Sequence, residues 1–576
     1  MGHLARLCRW IWMLPASGMI LFGGCTPGPA PSKPDVRGVA DGDRSANAST
    51  LAIRFVDVAA QSGISWTPRN GEEGAQYVIL ETFGTGCAIE DYDRDDQLDV
   101  FFGGGGQITA RQEILPLPIG LYRQTSPWKF AAVEAFAGLT PIRHYHHGQF
   151  TADIDDDGFV DLLITGWGGL QLFHNQGDGT FVDLTESSGL TSDTMWSAAA
   201  GWADLNNDQI LDLFVGHYVD WSFKNNPTCL HTLRGQRDVC DPARFNGLPC
   251  IVYLSNGDGT YRDGSIELGI HEVGKTLGVV IADLNDDDRP DIYVSNDTLP
   301  NQLYESQPSG QYREVAIKYG VALGEVGSPD GSMGVDIGDL DGNGKPDLWV
   351  ANFENQSFAF YRNLGHQTFS HASRAYGFTA VGSEAVGFGT VILDADGDGF
   401  PDIFCSNGHV LTPTVSIERR QLPYLFHNEN GKRFKNIAGQ TGEYLRQRHL
   451  GRGVASGDLD NNGTPDLVVT HTNEPVAVLR NETDIPNWLA VQLVGRSSPR
   501  SAIGARVTVT SGQRQQIGLI KGGGSYLSTS NRTLLFGLGG HKTIDALEVH
   551  WPTGRTTTLK DVRANQRLRL IEDPLP

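Results

Sequence analysis

Aspartates spaced two apart, returning at long intervals, are the residues of this chain best suited to chemistry. The pattern D-x-[DN]-x-[DN]-x-x-x-D occurs seven times. Its oxygen-bearing positions 1, 3, 5 and 9 are Asp91, Asp93, Asp95 and Asp99; Asp153, Asp155, Asp157 and Asp161; Asp204, Asn206, Asp208 and Asp212; and Asp283, Asn285, Asp287 and Asp291. The last three copies supply Asp339, Asp341, Asn343 and Asp347; Asp394, Asp396, Asp398 and Asp402; and Asp458, Asp460, Asn462 and Asp466. Oxygens at positions 1, 3 and 5 of a tight loop point inwards, as in the first half of an EF-hand, and a carbonyl at position 7 completes that side. Hard oxygen donors without His or Cys favour calcium over zinc or copper. These positions hold 24 carboxylates on a chain of net charge −23, and such crowding is costly unless cations neutralise it. One loop of this kind is most simply an Asx-rich turn. Seven in phase predict up to seven Ca2+ sites. Glycine at position 6 (Gly158, Gly344, Gly399, Gly463) eases the turn, whereas Asp96, Gln209 and Asp288 in the other copies predict weaker or empty sites.

The elements that must hold these loops are strands. Each ninth position runs into an apolar stretch such as Leu162-Leu163-Ile164 or Leu348-Trp349-Val350, which excludes an EF-hand helix. Successive copies start 62, 51, 79, 56, 55 and 64 residues apart, a period that suits one four-stranded propeller blade. Five residues before each first aspartate stands Gly86, Gly148, Ala199, Gly278, Gly334, Gly389 or Gly453, as strands converging on one axis require. An outer-strand signature opens with an aromatic at Phe130, Phe181, Tyr261, Tyr312, Phe369 and Phe434, and occurs once more upstream at Phe55. The seventh unit lacks its own copy, so the N-terminal strand completes it and removes two sheet edges. The fold class expected is all-β, a seven-bladed β-propeller over 51–484 followed by a small β-sandwich-like domain over 485–572.

Composition agrees. The chain has 576 residues with 71 glycines, 39 % apolar residues, and 45 basic against 68 acidic side chains. That rules out a disordered chain and argues against nucleic acid as a partner. Residues 1–24 read as a signal peptide, with Arg6 and Arg9 before an apolar stretch too short to span a bilayer. Leu21-Phe22-Gly23-Gly24-Cys25 resembles a bacterial lipobox with Cys25 as the lipidated residue, which is the reading taken; Phe22 departs from it, and ordinary cleavage nearby is the alternative. Residues 25–50, rich in Pro, Ser, Ala and Gly, read as a flexible tether. The protein is therefore expected to be exported to the cell envelope, touching membrane only through a lipid anchor. Among Cys229, Cys240 and Cys250 one disulfide is expected rather than a zinc site.

The phrases "DLDGNGKPDLWVAN" and "FVDLTESSGL" resemble the FG-GAP/VCBS propellers of integrin α-subunit heads and, more closely, the cartilage-acidic-protein-like family. The insertion "YVDWSFKNNPTCLHTLRGQRDVCDPARFNGLPC" is similar to one of that family. The resemblance implies calcium in the blade loops and a Cys229–Cys240 disulfide, with Cys250 a departure; it does not settle activity. From 485 the phrases "IGARV", "GGGSYLS", "LLFGLGG" and "VHWPTG" resemble the ASPIC/UnbV domain. There Gly504, Gly524, Gly537, Gly539 and Gly554 read as turn residues, and a sugar- or protein-binding face around Arg506 and Tyr526 is the functional alternative.

No established catalytic motif occurs. His144, His146 and His147 could form a polar rim at a channel mouth; the plainer reading is hydrogen-bonded histidines beside the channel. The leading expectation is a non-catalytic, calcium-binding cell-surface module for adhesion to a protein or glycan ligand. The alternative is a polysaccharide lyase or hydrolase using His144, His146, Arg448 and His449 in one cleft.

Overall fold

The computed structural model describes residues 53–231, 235–410 and 418–574. The signal peptide, the tether and Cys25 lie outside the described residues. Among the described residues, seven antiparallel sheets, six of four strands and the fourth of five, each carry one acidic loop between their two inner strands. In the fourth, the chain runs along the inner strand Thr276–Ala282, turns through the loop and returns along Asp291–Asn296. It then moves outward through Gln302–Ser306 and Tyr312–Glu314. Each inner strand packs beside the next, and the last, Gly451–Gly457, packs beside the first, Cys87–Glu90. The sheets thus close a ring, and the fold is a β-propeller. Phe55–Asp57 pairs with Ala477–Asn481, Phe55 opposite Asn481, so the N-terminal strand completes the final sheet. The small-residue column has the expected steric cause: a Cβ on Gly334 would overlap the Phe388 carbonyl oxygen of the neighbouring sheet.

The C-terminal part builds two more sheets. One orders Leu534–Gly537, Trp488–Val494 and Gln566–Ile571, the last pair parallel. The other orders Arg514–Leu519, Arg506–Ser511, Thr543–His550 and Thr556–Arg563. Val491, Val507 and Leu547 are buried within them, and the same apolar cluster continues to Trp202 and Ile281 of the propeller. The two parts share this cluster, one of several in the propeller. Cys229 and Cys240 are joined by a disulfide with Cα atoms 5.2 Å apart, while Cys250 is buried beside the Thr276 hydroxyl.

One expectation is corrected here. The glycine-rich segment around Gly524 is not a sandwich turn, and Tyr526 lies on no exposed face. Residues 521–532 run into the centre of the ring. Gly522–Gly523 extends the fourth sheet beside Val280–Ile281. Ser525 exchanges backbone hydrogen bonds with Val335 (2.7 and 3.2 Å), and its hydroxyl donates to the Val454 carbonyl (2.7 Å). The Gln149 N–H donates to the Leu527 carbonyl, and the Thr529 N–H to that of Cys87. Tyr526 is 0 % exposed, packed against Phe83 and Phe388 with its hydroxyl donating to the Phe83 carbonyl (3.2 Å). Inner-strand backbone groups facing the axis lack a ladder partner, and this segment satisfies them.

Candidate metal centres

All seven loops share one backbone. Position 4 has φ between 59° and 72°, and position 6 between 63° and 96°. Asp96, Gln209 and Asp288 adopt the left-handed conformation that glycine adopts in the other four copies. An absent glycine therefore does not alter the loop; these side chains accept the strain instead. In every copy the position 6 N–H donates to the position 1 carboxylate at 2.8–3.0 Å. The position 7 N–H donates to the position 5 side-chain oxygen at 2.7–3.1 Å.

Position 9 has a second structural duty. Its carboxylate accepts one N–H from position 2 of its own loop and another from the third strand, at 2.7–3.3 Å throughout. These seven aspartates are at most 2 % exposed. Burial, reinforced by neighbouring carboxylates, pushes Asp99 up to about 9 and Asp212 up to about 7. At position 1, burial and four nearby aspartates push Asp153 up to about 8. Such groups resist ionisation unless a cation lies among them. Ligand atoms of Asp91, Asp93 and Asp99, and of Asp153, Asp155 and Asp157, lie within 4.8 Å of one another. Buried Oδ1 atoms of Asp93, Asp153, Asp394 and Asp460 accept no hydrogen bond. Buried acceptors without donors, in an all-oxygen set, fit a hard divalent ion.

Sequence reasoning missed the third strand. The residue just before its N–H donor is Arg123, His174, Arg362 or His427 in four sheets, and each reaches its own loop. Arg123 pairs with Asp93 and Asp95, and Arg362 with Asp341. His174 lies 2.9 Å from Asp161 and 3.6 Å from Asp155; His427 lies 3.1 Å from Asp402 and 3.8 Å from Asp396. The loops themselves contain no histidine, but in two copies a third-strand histidine hydrogen-bonds to the closing aspartate. The hydrogen bond to Asp402 raises His427 to about 9. Next in sequence, Asn175, Asn363, Asn428 and Asn481 donate from Nδ2 to the position 2 carbonyl of the preceding loop at 2.8–3.0 Å. Adjacent acidic loops are stapled together. The signal was present in the recurring Phe-His-Asn and Tyr-Arg-Asn tails, but their spatial partner was not.

The C-terminal sheets lie on the loop side of the ring. Arg506 bonds Asp286 (2.6 Å) and the Gly344 carbonyl (2.5 Å), His550 bonds Asp288 (2.8 Å), and Arg514 bonds the Asp398 carbonyl. The Gly537 N–H donates to Asp394 (3.1 Å). Residues 485–576 hold 12 basic and 5 acidic side chains against 33 and 63 in the rest, so opposite charges meet across this seam. Arg506 is engaged there rather than displayed.

His146 and His147 follow the plainer reading of hydrogen-bonded histidines and form no exposed rim. His146 is 1 % exposed, with Nε2 accepting from the Gly104 and Gly105 N–H groups (2.8 and 3.3 Å). His147 is 0 % exposed; its Nδ1 meets the Gly84 carbonyl, and its Nε2 accepts from Trp196 Nε1 (3.0 Å). Burial pushes the two down to about 4 and about 3. His144 is half-buried. His449 stacks between Tyr444 and His471, the last residue of strand Asp466–His471, and Arg448 pairs with Glu418.

Residues 495–574 match the ASPIC and UnbV family, and residues 153–215, 289–350 and 339–405 match the FG-GAP-like repeat. Cartilage acidic protein 1 of Mus musculus is 26 % identical over 330 residues, 55 % of this chain and 48 % of that protein. Its Xenopus tropicalis counterpart is 25 % identical over 331 residues, 53 % and 46 %. The chain spans about half the length of the curated relatives it matches. Among solved structures, an Agrocybe aegerita lectin, described as recognising non-reducing terminal N-acetylglucosamine, aligns with TM-score 0.37 and 15 % identity, covering 69 % of this chain and 94 % of that one. The V. cholerae biofilm matrix protein Bap1 aligns with TM-score 0.30 and 12 % identity, covering 88 % and 76 %. The chain carries FG-GAP-like repeats and a C-terminal ASPIC and UnbV domain, and is homologous to cartilage acidic protein 1.

Proposed function

We propose that this chain of FG-GAP-like repeats capped by an ASPIC and UnbV domain is an exported, calcium-binding propeller that displays its surface to a protein or glycan ligand without catalysing a reaction. The observation that carries the calcium reading is the repeated loop: one geometry in all copies, a closing aspartate buried in each, and buried oxygens on Asp93, Asp153, Asp394 and Asp460 that accept nothing. Positions 1, 3, 5 and 9 would hold the ions, up to seven. Bound calcium supplies the positive charge that lets crowded carboxylates ionise inside the fold, which links ion binding to stability. No helix among the described residues is long and apolar enough to cross a membrane, and attachment would be through a lipid on Cys25.

The polysaccharide lyase or hydrolase alternative loses its supporting geometry. His146 is buried and spent on two backbone N–H groups, while His449 is stacked in a separate aromatic cluster with Tyr444 and His471. Glycan-array and pull-down experiments on the full chain, with calcium and with EDTA, test the reading. Calcium-dependent capture of a glycan or protein supports it. Turnover of a polysaccharide, or no capture in either condition, counts against it.

A further inference from the structure

A cavity of about 240 Å3 opens between the first two acidic loops and the C-terminal sheets. Its walls carry more hydrogen-bond donors than the protein uses. Arg532 holds Glu90 (2.7 Å), and Arg500 faces Asp153 (3.6 Å), so those two guanidinium groups are partly engaged. Arg567 and Arg569 also line the cavity; both are exposed and neither lies within ion-pair distance of a carboxylate among the described residues, although Arg567 is near enough to Asp458 to favour its ionised form. They stand two apart on the edge strand Gln566–Ile571, so both point to one face. Buried Arg532 Nε and Ser501 Oγ have no hydrogen-bond partner. Gln492, Asn531 and Thr533 add amide and hydroxyl groups at the wall.

Four carboxylates also line the cavity: Glu90, Asp91, Asp96 and Asp153. Glu90 is taken by Arg532 and Thr151, and Asp91 accepts two N–H groups of its own loop. Asp96 remains as an exposed carboxylate. Guanidinium pairs suit oxyanions because their N–H groups match two oxygens at once. The neighbouring amides and hydroxyls suit sugar hydroxyls. At about 240 Å3 the space is smaller than the ~300–1,000 Å3 of drug-sized sites, so it suits one acidic sugar unit.

We propose that this seam binds an anionic sugar, its carboxylate or sulfate group held by Arg567 and Arg569 and its hydroxyls by Gln492, Ser501 and Thr533. The proposal rests on the ligand-displaying reading above and names the ligand class. Asp91 and Asp153 line the same cavity, so calcium in their loops makes the site more positive and tightens binding.

Calorimetric titration of the full chain, with calcium, against digalacturonate, a sulfated heparin disaccharide, maltose and inorganic sulfate tests this. One or both acidic disaccharides should bind, and Arg567→Gln/Arg569→Gln should weaken them at least about tenfold by removing charge-assisted hydrogen bonds. The melting temperature of that variant should be unchanged, and Gln492→Ala should give a smaller loss in the same direction. Carboxylated or sulfated preference identifies the group. Absence of binding by both acidic sugars, equal binding of maltose or of free sulfate, or an undiminished double variant overturns the proposal. Capture of some other ligand that the double variant retains leaves the ligand-displaying reading standing and removes only this inference.

Discussion

At the scale of single residues, the ninth position of each loop does two jobs that pull in opposite directions. As a hydrogen-bond acceptor it must be buried; as an ion ligand it must be charged. Asp347, at 0 % exposure, accepts from Leu340 and Asn363 (3.0 and 2.7 Å). Asp347→Ala would leave two buried N–H groups unpaired and should lower stability by about 3 kcal/mol in denaturant titrations. Asn428→Ala, which removes the staple to the Leu340 carbonyl, should cost about 1–2 kcal/mol by the same assay. The raised carboxyls also set a pH dependence. Groups such as Asp99, Asp153 and Asp212, raised to about 9, 8 and 7, bind protons more tightly folded than unfolded. Without metal their contribution is fully present below the ordinary carboxyl range near pH 4 and is lost as pH rises through 7–9. Metal-free protein should therefore melt lower at pH 8 than at pH 5.5, and the increment from added calcium should be larger at pH 8. Scanning calorimetry at both pH values, with EDTA and with calcium, measures the difference; an equal increment at both would contradict the assignment.

Among the elements, the segment 521–532 is the one that the amino-acid pattern concealed. Loop, strand and blade order could be read because their causes are local: alternating carboxylates, an apolar run after the ninth position, a small residue at the axis. The N-terminal strand could be placed because Phe55 repeats a local signature. Gly522, Gly523 and Gly524 resemble any turn, and nothing near them in sequence says that they lie against Val279–Ile281, more than two hundred residues away. The third-strand bases were hidden for a related reason: Arg123 and His174 are ordinary polar tails until the fold turns them onto an aspartate. A Cβ on Gly86 would overlap the Leu527 carbonyl oxygen, whereas one on Gly439 meets nothing within 4 Å. Gly86→Ala should thus displace the segment and open it to limited proteolysis, with Gly439→Ala resistant like the parent. Tyr526→Ala should cost about 3–5 kcal/mol, as expected for deleting a large buried ring.

For the molecule as a whole, charge is segregated across the seam: an acidic ring of loops meets a basic C-terminal domain, and one apolar cluster bridges the two. Because Arg506, Arg514 and the Gly537 N–H engage the loops directly, ion loading and docking of the C-terminal sheets share the same residues. A propeller that must suppress repulsion among so many buried carboxylates gains most from a divalent ion at each loop. The direct measurement is the calcium content of the full chain after equilibrium dialysis, read by elemental analysis beside its melting curve. Several calcium ions per chain, lost to EDTA together with a marked fall in melting temperature, is the result this account predicts. Fewer than one ion per chain with an unchanged melting temperature would contradict it.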